Sequence, residues 1–390
     1  MTATGYPVSE VLRALRGGLN DDDPDVVPAV HVSVPYRFTS PREPPLLEVK
    51  YGRENNPTTM LFENAVRIAE GSKWCLAFNT GMAALHVALE VLRGAGARRV
   101  VASRLLYGTT RSLLDRLASS GLQVHYYGPP WGQLLQAVKE LAPDAVLVET
   151  IGNPTLRVPP LRGLVEACGD DCTLIVDNTF ASPYLYRPAT LSRKILVVES
   201  ATKYIGGHHD VLGGVLCGND TGLHEAAWST RKMTGTVMQP LDAFLAARGL
   251  KTLHLRVEYS SRSAEQIARR LEEEPLVERV YYPGLRSHPD SATAREVLPG
   301  LYGGVLSFDV GDSQVAKAML KRLQLVVPSP SLGGVESVVA YPFESSHRSL
   351  SEEEKKELGI TPGLLRLSVG LEDPGDVLRD ILSALRSARA

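Results

Sequence analysis

Two apolar runs in the chain end on residues that can do chemistry. Leu174-Ile175-Val176 passes into Asp177-Asn178, and Leu196-Val197-Val198 passes through Glu199-Ser200-Ala201-Thr202 to Lys203. Short runs free of polar residues are candidates for buried strands, and in open parallel α/β sheets ligands bind beyond the carboxyl ends of the strands. Asp177 and Lys203 stand twenty-six residues apart, about one strand, connection and strand. A lysine amine condenses with a carbonyl, and a carboxylate opposite a ring nitrogen favours that nitrogen's protonated form. The hydroxyls of Ser200 and Thr202 can donate to a phosphate beside the lysine. Gly81 and Met82 can do so through backbone N–H groups, because Asn79-Thr80-Gly81 closes a loop and opens a helix whose N-terminus attracts anions.

Amine, carboxylate and anion cradle are together what pyridoxal phosphate (PLP) requires. Taken singly they say little. An Asp closing a strand is commonly a turn former, a lone lysine is usually a solvated surface charge, and a glycine before an apolar helix is frequent. The ordered set predicts that Lys203 holds PLP as a Schiff base, with Asp177 against the pyridine nitrogen.

The elements that must position these residues follow from the hydrophobic pattern. Helical periodicity at Glu63–Glu70, Met82–Leu92, Gly132–Leu141 and Leu161–Cys168 alternates with strand candidates at Val100–Ala102, Val124–Tyr127, Ala145–Glu149, Thr173–Asp177 and Ile195–Glu199. That alternation predicts an α/β fold with a large, mostly parallel sheet covered on both faces. A long helical pattern begins at Ala243–Arg256. Beyond it Tyr281–Pro283, Gly304–Asp309 and Leu364–Val369 read as strands of a smaller α+β region, with helices at Gln314–Leu323 and Asp376–Leu385. The expected division is an N-terminal arm over 1–50, whose one short amphipathic stretch runs from Val8 to Arg16, a cofactor-binding α/β domain over 51–245, and a C-terminal α+β domain over 246–390.

A chain of 390 residues with a formal charge of -2 has no basic excess to neutralise a nucleic-acid backbone. No apolar run of spanning length is present and the residues after Met1 lack the pattern of a signal peptide, so the expectation is a cytoplasmic protein acting on a small molecule, with no membrane partner. Cys75, Cys168, Cys172 and Cys217 are too few for a disulfide framework and complete no zinc site. His208 and His209 are expected to serve packing and loop geometry, and no metal is expected.

Further segments extend the pattern: Tyr51-Gly52-Arg53, Thr80-Gly81-Met82-Ala83-Ala84, Leu106-Tyr107-Gly108-Thr109-Thr110, Asn153-Pro154, Asp177-Asn178-Thr179-Phe180, Ser200-Ala201-Thr202-Lys203-Tyr204, Ser331-Leu332-Gly333-Gly334 and Arg366-Leu367-Ser368. In this order, from about Tyr51 to Asp373, the chain resembles the Cys/Met-metabolism family of fold-type I PLP enzymes, which has the aspartate-aminotransferase-like fold. The resemblance implies that Tyr51 and Arg53 reach the cofactor phosphate of a neighbouring subunit and that Tyr107 stacks on the pyridine ring and acts as an acid/base. It further implies that Asn153 approaches the ring hydroxyl, that Ser331 and Arg366 hold the substrate α-carboxylate, and that the protein is a homotetramer of two active dimers in which the N-terminal arm over 1–50 clasps a neighbouring subunit.

The activity so implied is that of a PLP-dependent carbon–sulfur lyase or transferase in transsulfuration: γ-elimination or γ-replacement on cystathionine or an O-activated homoserine. O-acetylhomoserine sulfhydrylase, cystathionine β-lyase and methionine γ-lyase are the alternatives, and a catalytically idle PLP-binding scaffold is the non-enzyme reading. Two departures narrow the field. Thr109 stands where methionine γ-lyases carry Cys, and Pro330 stands where cystathionine γ-synthases and γ-lyases commonly carry Glu, which leaves recognition of the distal end of the substrate open.

Overall fold

The computed structural model describes residues 4–16, 25–36, 49–298, 300–345, 348 and 350–389. Its larger sheet has seven strands: β1 (Trp74–Phe78), β2 (Arg99–Ser103), β3 (Gln123–Tyr127), β4 (Ala145–Glu149), β5 (Thr173–Asp177), β6 (Ile195–Glu199) and β7 (Gly214–Gly218). They lie in the order β1-β7-β6-β5-β4-β2-β3. Neighbours are parallel except where β7 runs antiparallel to both β1 and β6.

Successive side chains of a strand point to opposite faces, and both faces here are covered. Val146, Val148, Leu174, Val176, Ile195 and Val197 pack towards helices Pro57–Glu70, Trp131–Leu141 and Leu161–Cys168. Ala145, Leu147, Ile175, Leu196 and Val198 pack towards helices Gly81–Gly94 and Gly108–Ala118. By the same alternation Glu149 and Asp177 continue the second face. Burial on both sides explains why the strands read as unbroken apolar runs.

The smaller sheet holds β8 (Arg279–Tyr281), β9 (Val305–Asp309), β10 (Val327–Pro328), β11 (Val338–Ala340) and β12 (Leu364–Ser368), in the order β10-β11-β12-β9-β8. Its pairs are antiparallel except β10 with β11. Helices Leu253–Glu272, Ser313–Leu320 and Pro374–Arg389 supply Ala264, Ile267, Ala316, Met319, Val377 and Ile381 to its core. The Leu253–Glu272 helix also places Leu253 and Val257 in the core of the larger sheet, so one rigid element is shared by both cores.

Several elements of the structure lie outside the expected set, among them β10, β11 and helices Gly108–Ala118 and Thr221–Thr234. Strands β1 and β7 were absent from the expected set. Both are short apolar segments, and β7 is bounded by glycines that permit close approach: a Cβ at Gly214 would lie 2.3 Å from the Thr80 carbonyl oxygen, and one at Gly218 would lie 2.5 Å from the Trp74 ring. The single helix expected over Ala243–Arg256 is two, Pro240–Leu250 and Leu253–Glu272. Arg256 lies just beyond the break: its buried guanidinium donates to the Gly249 carbonyl at 2.7 Å, an acceptor that the helix end leaves open, and to the Tyr204 carbonyl at 2.8 Å. Within the expected arm, Tyr6, Val11 and Leu15 are buried in the chain's own core, and helix Val8–Ala14 packs on helix Pro57–Glu70. Residues 17–24 and 37–48 of that arm lie outside the described residues.

Candidate active site

The carboxyl ends of β5 and β6 are joined by one threonine. The Thr179 N–H donates to Asp177 Oδ1 at 3.0 Å, and the Thr179 hydroxyl accepts from the Ser200 N–H at 2.8 Å. Asp177 is therefore fixed against the start of the Ser200-to-Lys203 segment. Burial pushes its carboxyl above the ordinary range, and the Thr179 hydrogen bonds offset this only in part. Among the described residues it has no ion-pair partner.

Beside Ser200 stands the helix Gly81–Gly94. Thr80 caps it by accepting from the Ala83 N–H at 3.0 Å, and a Cβ at Gly81 would come within 3.0 Å of Ser200 Cα and Cβ. Glycine thus lets the helix start stand close to Ser200, where the first N–H groups of the helix, those of Gly81 and Met82, are expected to form an anion cradle. The Thr202 hydroxyl is engaged with Gly213, accepting from its N–H at 3.0 Å and lying 3.2 Å from its carbonyl oxygen.

Lys203 Nζ donates to Ser331 Oγ at 2.9 Å. Burial, and secondarily the charge of Arg366, push the lysine down to about 8. Arg366 belongs to β12, between β11 and β9, and is only 6% exposed. Its Nη1 donates to Asn153 Oδ1 at 2.8 Å, its Nη2 to the Ser331 carbonyl at 2.8 Å, and its guanidinium stands 5.8 Å from the centre of the Phe180 ring. Among the described residues its buried Nε has no hydrogen-bond partner. Ser331 adopts φ 93°, a left-handed conformation that costs a non-glycine residue energy and is tolerated where the surroundings enforce it.

The structure therefore brings Lys203, Ser331, Arg366 and Asn153 into one hydrogen-bonded cluster, and Asp177, Ser200 and Gly81 into an adjoining one. Tyr107, at the start of helix Gly108–Ala118, is 43% exposed. Tyr51 and Arg53 lie apart: Arg53 donates to the Lys232 carbonyl at 3.3 Å and sits 5.5 Å over the Tyr51 ring, which is 43% exposed. Among the described residues no hydrogen bond ties either to Lys203. His208 Nδ1 lies 2.8 Å from the Gly206 carbonyl oxygen, and His209 Nε2 lies 3.9 Å from Glu336.

Sequence reasoning missed Glu149. It closes β4 beside Asp177, is 5% exposed, and accepts from the Tyr107 N–H at 2.5 Å and the Asn153 N–H at 3.2 Å. The signal was available, since Ala145-Val146-Leu147-Val148 ends on a carboxylate just as the run before Asp177 does. Thr179 and Phe180 carried no comparable mark.

This set fits PLP on physical grounds. A buried carboxylate without its own cation suits a protonated ring nitrogen, a depressed lysine amine suits a link to an aldehyde carbon, and the glycine-bounded helix end suits a phosphate. Among the described residues only two of the five guanidinium N–H groups of Arg366 are engaged, with Asn153 and Ser331, which leaves donors for an incoming carboxylate.

Comparison with known proteins bears on the same residues. The family model described as Cys/Met metabolism PLP-dependent enzyme matches residues 13–386. Cystathionine gamma-lyase of Macaca fascicularis is 37% identical over 370 residues, covering 93% of this chain and 89% of the relative. Cystathionine beta-lyase of Lactococcus lactis subsp. cremoris is 36% identical over 379 residues, covering 96% and 98%. The crystal structure of cystathionine gamma synthase from Xanthomonas oryzae pv. oryzae in complex with cystathionine superposes with a TM-score of 0.91 at 32% identity, over 98% of each chain. With the lysine, the carboxylate and the anion cradle converging in a fold shared along its whole length, the chain belongs to the Cys/Met-metabolism PLP-dependent enzymes and is a carbon–sulfur lyase or transferase of the fold-type I class.

Proposed function

We propose that the protein catalyses γ-elimination or γ-replacement on cystathionine or an O-activated homoserine. The observation that carries this reading is the Lys203–Ser331–Arg366–Asn153 cluster, in which a partly deprotonated amine and a carboxylate-binding guanidinium share one serine. When bound, PLP supplies an aldehyde carbon that links an amine and a protonated ring that withdraws the electron pair left at Cα.

The chain's own groups do the rest. Arg366, with N–H groups left over from its bonds to Asn153 and Ser331, orients the substrate α-carboxylate. Asp177 keeps a proton on the ring nitrogen. Lys203, an amine in a useful fraction near neutrality because burial and Arg366 hold it at about 8, accepts the α-proton and moves a β-proton. Departure of the γ-substituent takes a proton from Tyr107 or Lys203. Hydrolysis with loss of ammonia completes a lyase cycle, and addition of a thiol completes a synthase cycle.

β-Elimination on cystathionine is the second reading, favoured by the Lactococcus relative. Thr109 weighs against methionine as substrate, on the resemblance already drawn. In this proposal the working unit is a dimer, with the exposed Tyr51 and Arg53 reaching the cofactor phosphate of a neighbour, and two dimers form a tetramer.

Steady-state assays with cystathionine, with O-acetylhomoserine plus sulfide and with methionine distinguish the reactions by the ratio of their rates. Lys203→Ala is expected to abolish turnover and the visible absorbance of the linked cofactor; retention of both overturns the assignment.

A further inference from the structure

Glu149 sits where the two halves of the site meet. One carboxylate oxygen accepts from the N–H of Tyr107 at 2.5 Å, and the other accepts from the N–H of Asn153 at 3.2 Å. These residues belong to separate loops, one opening helix Gly108–Ala118 and the other following β4. The Asn153 side chain accepts from Arg366, Arg366 donates to the Ser331 carbonyl, and the Ser331 hydroxyl accepts from Lys203. A continuous path of hydrogen bonds and covalent bonds thus runs from Glu149 to the lysine amine. Glu149 is also the Cα partner of Asp177 across β4 and β5, so their side chains share a face of the sheet.

We propose that Glu149 is a positioning residue of the reaction: one carboxylate sets the Tyr107 ring at the mouth of the site and the Asn153 amide beneath Arg366. The inference rests on the assignment of Lys203, Tyr107 and Arg366 to the site. A surface acid would leave both loops to find their own positions, and misplacement by about 1 Å costs on the order of 100-fold in rate. A buried carboxylate beside Asp177 is costly unless its oxygens are satisfied, and the two N–H groups satisfy them. Burial and Asp177 push Glu149 well above the ordinary carboxyl range, while the two N–H groups and Arg366 act in the opposite direction.

The test is Glu149→Gln in the full holoenzyme, which keeps the shape but turns one acceptor into a donor facing an N–H. Turnover, cofactor content, the pH midpoint of the cofactor absorbance and the unfolding temperature of the apoprotein are measured together. The expected result is a loss in kcat of roughly 10- to 100-fold, with cofactor still bound, a displaced absorbance midpoint and an apoprotein that unfolds within a few degrees of the parent. Wild-type kcat with an unmoved midpoint overturns the proposal. So does a loss explained wholly by lower cofactor content. Should Glu149→Gln fail to fold, Glu149→Asp keeps the charge but shortens the reach, and an unimpaired Glu149→Asp enzyme equally overturns it. Lys203→Ala run alongside separates the outcomes: activity surviving in that variant defeats the site assignment itself, whereas an unaffected Glu149 variant with an inactive Lys203→Ala defeats only this inference.

Discussion

The two halves of the site are built differently. The half around Asp177, Ser200 and Gly81 is assembled from the ends of adjacent strands and the start of the helix beside them, and its key contacts run through one threonine. The half around Ser331 and Arg366 comes from the smaller sheet and reaches Lys203 and Asn153 across long stretches of chain. The first half offers main-chain donors and one buried anion. The second offers a cation with an orphaned donor and a serine held at φ 93°. A cofactor common to many reactions requires the first kind of construction, while choosing and orienting a substrate requires the second.

The sharpest way to break this division is Asp177→Asn. Losing the buried charge is expected to lower kcat by roughly 100- to 1000-fold while cofactor remains bound, as read by absorbance and turnover on one sample. If only KM changes, the two halves do not have separate tasks. Arg366→Ala comes next. It is expected to lower kcat/KM by about 2–5 kcal/mol, mainly through KM for the amino-acid substrate, and in the apoprotein to let the Lys203 amine titrate higher, because Arg366 pushes it down. A pure kcat defect with unchanged KM would assign Arg366 to the wrong half.

The smallest effect is on stability. In the apoprotein Lys203 titrates near 8 when folded and at its ordinary 10.5 when unfolded, so between those values the unfolded chain binds more protons. This group therefore penalises the folded state fully below pH 8, and the penalty is relieved as pH rises to 10.5. Denaturant titrations of apoprotein and of apo Lys203→Met across that window should diverge most at its lower end. Equal pH dependence of the two would show that the lysine is not desolvated in solution.

These contrasts also explain what could be read from the sequence. Asp177 ends an apolar run and Lys203 follows the next one by a short polar segment, and this spacing tied them together, so the cofactor half was legible from residues alone. Glu149 ends a run in the same manner but sits among the many carboxylates that merely cap strands, and only its two N–H contacts separate it from them. Arg366 lies within a strand pattern with nothing local to mark it, and the resemblance alone picked it out. Among the strands, β4, β5 and β6 were legible because burial on both faces makes them continuously apolar. β1 is equally apolar and was simply passed over, whereas β7 was obscured because glycines at 214 and 218 answer to close contacts with Thr80 and Trp74 that no window of sequence contains. The break after Leu250 also escaped: the Gly249 carbonyl is engaged by Thr252 and Arg256, both within what reads as one helical pattern.

The bond between Lys203 and Ser331 joins residues 128 positions apart, and that between Asn153 and Arg366 spans 213. Synthesis delivers a chain from its N-terminus, and domains form as they emerge. The larger sheet is complete at Gly218, long before β12 exists. A nascent chain at that stage carries Lys203 without the guanidinium that helps hold it as an amine, and Asn153 without its partner. The contacts that tie Lys203 and Asn153 to the smaller sheet can therefore form only after Ser331 and Arg366 have been made.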